Sequence, residues 1–111
     1  MTQSKDNGKE RRHVLRIRYG KNEMPSVMIN GVANDVLDLS EHGFQMRWSM
    51  PVDVGMDIKG VIQFVGGGSI GVEGRVVWEE GGMAGVKLAV PIPAKVIIRE
   101  HQARIKTLSG R

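Results

Sequence analysis

Residues 34–49, NDVLDLSEHGFQMRWS, alternate in chemical character at nearly every step. Phe44, Met46 and Trp48 take turns with Gln45, Arg47 and Ser49, and Leu37 and Leu39 take turns with Asp38 and Ser40. Period two is the repeat of a strand with one face in a core and the other in water. The stretch therefore predicts two strands, with Leu37, Leu39 and Trp48 inward and Asp38, Ser40 and His42 outward.

The same rhythm extends in both directions. Ile58, Ile62 and Phe64 alternate with Lys59 and Gln63; Ile70, Val72, Val76 and Trp78 share one side of a strand; Val86, Leu88 and Val90 repeat the scheme around Lys87. Turn signals separate the runs: GKNEMP, NG, MPVDVG, GGGS and EEGG. Six antiparallel strands follow, at 26–30, 32–40, 43–49, 56–65, 69–79 and 83–90. Short strands with one buried face each are best satisfied by closing into a small barrel, which removes exposed edges.

After residue 92 the period changes. Ala94, Ile97, Ile98, Ile105 and Leu108 recur at spacings of three, four and seven, as in an amphipathic helix, with Pro93 at its start and Gly110 at its stop. The expectation is an all-β domain with a C-terminal helix: a barrel over 24–90 and a helix over 93–108.

A protein of 111 residues with 41% hydrophobic and 25% charged residues is one ordinary soluble domain. No apolar run nears the roughly 20 residues that span a bilayer. Without cysteine there is neither a disulfide framework nor thiolate chemistry. The polar opening MTQSKDNGKERRH has no signal-peptide character, so a cytoplasmic setting is expected. The net charge of +4 hints at an anionic partner. Much of the positive charge lies in the N-terminal arm, between Lys5 and Lys21, with residues 1–10 expected as a flexible leader.

Enzymatic readings fail on spacing. Same-face residues on a strand lie roughly 6–7 Å apart, so Asp38, Ser40 and His42 do not make the roughly 3 Å contacts of a proton relay. His13, His42 and His101 are isolated, without the short-range pairing of metal ligands. The GGG at 66–68 leads to Ser69 with no Gly-Lys-Ser/Thr, which excludes a phosphate-cradling loop. No catalytic residue, metal or cofactor is expected.

Binding chemistry is better served. Arg11, Arg12 and Arg16 offer planar, permanently charged donors that grip phosphate or stack on a purine. Asp38 offers the complement, since a carboxylate accepts the paired N1–H and N2–H donors on the Watson–Crick edge of guanine. Ser40 adds a hydroxyl, and Gly43 permits a tight turn or close backbone approach. A ligand carrying both guanine and phosphate would use every part.

Arg12-x-x-x-Arg16 followed by Asp38-x-Ser40-x-x-Gly43 resembles the paired signature of PilZ domains, bacterial receptors for cyclic di-GMP. The spacing between the motifs, the six strands and the terminal helix are similar to that family over residues 11–111. The resemblance implies a six-stranded antiparallel PilZ-type β-barrel that is a receptor and not an enzyme. Arg12 and Arg16 would sit on a segment that orders over the nucleotide, and Asp38, Ser40 and Gly43 would form the docking surface outside the barrel. Arg11, preceding the first motif arginine, would favour a stacked pair of nucleotides, and a further basic side chain would join from elsewhere in the fold. The implied partners are cyclic di-GMP and a protein or attached effector domain, in exopolysaccharide synthesis, secretion or motility, at a membrane complex or as a homodimer. Two rival readings are a ligand-independent adaptor and a basic barrel for nucleic acid. With 5% aromatic residues the protein lacks the stacking platforms of the latter, so no nucleic-acid polymer is expected.

Overall fold

Asn30 and Gly31 adopt φ of 52° and 80°, the left-handed pair that closes a two-residue hairpin without splaying its strands. Gly81 and Gly82, at 61° and 83°, do the same for a second hairpin. The computed structural model describes residues 15–109. Among them are seven strands: β1 (Ile17–Arg18), β2 (Ser26–Ile29), β3 (Val32–Ser40), β4 (Gly43–Arg47), β5 (Asp57–Gln63), β6 (Ser69–Glu80) and β7 (Met83–Leu88). One helix, α1 (Ala94–Ser109), follows.

All pairings are antiparallel, and the order β1-β3-β2-β5-β6-β7-β4 closes because β4 also pairs with β3. Strands β2–β7 thus form the six-stranded barrel that the alternation predicts. Its interior holds Val27, Val36, Leu39, Met46, Ile62 and Ala84, all without exposure. Burial of each large aliphatic group among them contributes roughly 1.5–3 kcal/mol. Asn34 shares this interior and is satisfied: its Nδ2 donates to Val27 O (3.3 Å) and Val32 O (3.1 Å), and its Oδ1 accepts from Ser49 N (2.7 Å).

Strand β1 lies outside the six-strand expectation. It pairs Ile17 with Leu39 and Arg18 with Asp38, opposite the edge of β3 that β4 occupies. Ile17 is 1% exposed and belongs to the core, so one apolar residue anchors a strand of only two. The backbone that follows Arg16 is therefore a fixed part of the barrel rather than part of a loose arm. The 1–10 leader, Arg11 and Arg12 lie outside the described residues.

Two bulges change the facing of side chains. Between Val36 and Asp38 the register shifts by one, so Val36 opposes inward Met46 while Asp38 opposes outward Gln45. Leu37, expected on the core face, is the extra residue and is half-buried. Between Val76 and Trp78 a second shift sets Val76 against Val86 and Trp78 against Gly85. Trp78, expected inward, is consequently 36% exposed. Its indole lies where a Cβ on Gly85 would stand. Trp48 is half-buried and packs on the core, as alternation predicts.

Helix α1 begins beyond Pro93, whose carbonyl accepts from Val96 N at 2.9 Å. Its inward face is narrower and more polar than the apolar pattern predicts. Ile97 and Glu100 are buried at 1% and 2%, whereas Ile98 and Ile105 are exposed. No helix among the described residues is long and apolar enough to cross a membrane.

Candidate functional site

Strand register arranges two outward rows of side chains on one wall of the barrel. The first runs Arg18, Asp38, Gln45, Gly85, Trp78 across β1, β3, β4, β7 and β6. The second runs Ser40, Gly43, Lys87, Arg75, Asp57 across β3, β4, β7, β6 and β5. Between them lies an inward row, Ile17, Leu39, Phe44, Val86 and Val76, that roots the wall in the core. At about 4.8 Å per strand, Asp38 and Trp78 stand up to about 14 Å apart.

Arg16 precedes Ile17 and so shares the outward side of the strand with Arg18. Its Nη1 donates to Asp38 Oδ1 at 3.1 Å. The arginine side chain stays 48% exposed while that of Asp38 is only 10% exposed. Two residues that sequence separates by 22 positions are thus joined on the outer wall. Asp38 faces outward yet is largely covered. A carboxylate has two oxygens and about four lone-pair sites, so the contact with Arg16 leaves acceptor capacity.

Ser40 is buried, and its Oγ donates to Gly43 O at 3.3 Å across the turn. Asp38, Ser40 and His42 have no hydrogen bond among themselves, and His42 is exposed. Gly43 has an ordinary φ; its missing Cβ matters because one would stand 2.4 Å from Val86 O. Close approach of β4 to β7 therefore requires the glycine, where the sequence suggests a turn or a ligand.

Three wall residues escaped the sequence reading of the site. Arg18 was legible in principle, standing two positions from Arg16 around the buried Ile17. Lys87 becomes a neighbour of Gly43 only through β4–β7 pairing. It is exposed, makes no ion pair among the described residues, and borders a cavity of about 690 Å³ together with Arg75, Val77 and Lys59. Trp78 reaches the wall only through its bulge. Among the described residues no group of three or more His, Asp or Glu side chains is disposed to hold a metal.

A comparison with curated proteins found no match. A protein-family comparison matches the model described as PilZ domain over residues 10–105, which takes in all three arginines, the Asp-x-Ser-x-x-Gly turn, the closed barrel and most of α1. With Arg16 and Asp38 joined on one wall and nearly the whole length matched, this protein belongs to the PilZ domain family.

Proposed function

We propose that this protein is a cyclic di-GMP receptor whose nucleotide docks on the wall bearing Arg16, Asp38, Ser40 and Trp78. PilZ domains are generally cyclic di-GMP-binding regulatory domains and not catalysts. The observation that carries the reading is the Arg16–Asp38 contact at 3.1 Å, which puts a phosphate-gripping cation beside a guanine-accepting carboxylate.

In this reading the free lone pairs of Asp38 take guanine N1–H and N2–H, and Ser40 adds a hydroxyl contact. Arg16, with Arg11 and Arg12 from the preceding segment, meets phosphate or stacks on a purine. Lys87 is the further cation, and the indole of Trp78 offers a face on which a base stacks. The cations together favour a stacked pair of nucleotides. Three or four charge-assisted hydrogen bonds at roughly 1.5–3 kcal/mol each, less ordering costs, suffice for micromolar affinity near about −8 kcal/mol.

Occupancy then alters the surface shown to a protein partner or attached effector, in a cytoplasmic setting that governs exopolysaccharide synthesis, secretion or motility. Because β1 is already fastened to β3, the change is a rearrangement around Arg16 and the residues before it.

Calorimetric titration with cyclic di-GMP tests this. Wild type should bind, and Arg16→Ala and Asp38→Ala should each weaken binding about tenfold or more while keeping their circular dichroism spectra. Absence of heat with folded wild-type protein would favour the adaptor reading instead.

A further inference from the structure

Beyond the Arg16–Asp38 contact, a second set of polar contacts ties the arm to the helix. Tyr19, three residues beyond Arg16, donates its hydroxyl to Glu100 Oε2 at 2.8 Å, while its backbone N–H donates to Leu37 O at 3.0 Å on β3. Glu100 is 2% exposed and also accepts from Val65 N (3.1 Å) and Gly66 N (2.9 Å), in the β5–β6 turn. One helical turn further on, the guanidinium of Arg104 lies 5.9 Å from the centre of the Tyr19 ring, and its Nε is 3.7 Å from Glu23 Oε2. A Cβ on Gly66 would stand 2.5 Å from that of Ala103, so helix and turn are in close contact here.

The placement is unusual for a stabilising contact. Glu100 is the only acid in α1, and it serves the arm and a turn rather than the solvent face. Burying a carboxylate is costly unless its lone pairs are satisfied, so Glu100 and its three donors hold or part together. Residues 16–19 are thereby shared by two partners: Asp38 through Arg16, and α1 through Tyr19.

We infer that Tyr19 and Glu100 are a positioning pair that couples the arginine arm to helix α1, so that a change at Arg16 is passed to the helix. The inference rests on the reading of residues 16–18 as the ligand arm and names α1 as the element through which binding is reported. Coupling of this kind is reciprocal: whatever tightens the arm tightens the helix, and loosening the helix weakens the arm. Tyr19 and Glu100 touch no ligand in this scheme.

Amide hydrogen exchange on the whole protein tests the link. Arg16→Ala frees the arm from Asp38 and should speed exchange about threefold or more at residues 97–104 as well as in β1. In the Tyr19→Phe background the same change at Arg16 should leave 97–104 unaffected while still loosening β1. A helix that ignores Arg16→Ala, or an equal increment with and without the Tyr19 hydroxyl, overturns the proposal. Should Tyr19→Phe fail to fold, Glu23→Gln, which weakens the hold on Arg104, should reduce the increment, and an undiminished increment is equally fatal. Cyclic di-GMP added to wild type should slow exchange in 97–104. If it does not bind while the Arg16 effect persists, the receptor reading falls and the coupling stands. If it binds and the helix is indifferent to both nucleotide and Arg16→Ala, the coupling falls and the receptor reading stands.

Discussion

Arg16 and Asp38 meet as an unequal pair: the cation is half in solvent and the anion is almost wholly covered. Losing either member therefore has different costs. Arg16→Ala strands a buried carboxylate and should destabilise the domain by about 1–2 kcal/mol. Asp38→Asn keeps the shape and an acceptor oxygen while releasing an arginine that water solvates readily, and should cost less than about 1 kcal/mol. Urea denaturation of both variants checks the order, and a larger loss for Asp38→Asn would contradict it.

Gly43→Ala separates packing from ligand contact. A methyl group here meets Val86 O at 2.4 Å, and backbone does not yield as a flexible side chain does. The expected loss is about 1–3 kcal/mol, measured by chemical denaturation without nucleotide. An unchanged midpoint would show that β4 and β7 separate more easily than their register implies.

Trp78 is expected to report nucleotide directly. In a Trp48→Phe background it is the only remaining tryptophan, so its fluorescence should change as cyclic di-GMP is added. Trp78→Ala should weaken affinity about fivefold or more, given about 1–3 kcal/mol for base stacking on an aromatic ring. Equal affinity and a silent signal would remove Trp78 from the wall's function.

Alkaline pH should single out Tyr19, the protein's one tyrosine. Burial, and then the hydrogen bond to Glu100, hold its phenol well above the ordinary value of 10.0. The folded protein thus keeps this proton where the unfolded state releases it. The stability tied to Tyr19 is complete below about pH 10 and declines as pH rises further. The urea midpoint of wild type should fall between about pH 9 and about pH 11 by more than that of Tyr19→Phe. Phenolate absorbance should appear near pH 10 only after unfolding. A folded protein that titrates normally would refute the buried donor.

Alternation alone carried most of the barrel, because a closed sheet with one wet face writes period two into every strand. It failed at Leu37 and Trp78 for a common reason: a bulge inserts one residue without changing composition, and nothing near Val36 or Val76 marks it. Strand β1 was hidden because two residues cannot show a period; only Ile17 between Arg16 and Arg18 hinted at it. The motif residues Arg16, Asp38, Ser40 and Gly43 could be named from their chemistry and spacing. Lys87 could not, since its place beside Gly43 exists only once β4 and β7 pair. Glu100 was equally opaque, being one charge in a charged helix until Tyr19 meets it.

The two bulges act as phase shifts in a repeating code. Because Leu37 and Val77 are the extra residues, removing either alone would restore regular pairing, with Asp38 still opposite Gln45 or Trp78 still opposite Gly85 and both side chains still on the wall. In this domain, then, a single-residue deletion at either bulge is gentler than one among the paired residues of the same strand, where the residues beyond it would change face. Descendants could lose either residue and keep the wall, whereas the loss of a paired residue farther along the strand would call for an insertion that restores the count.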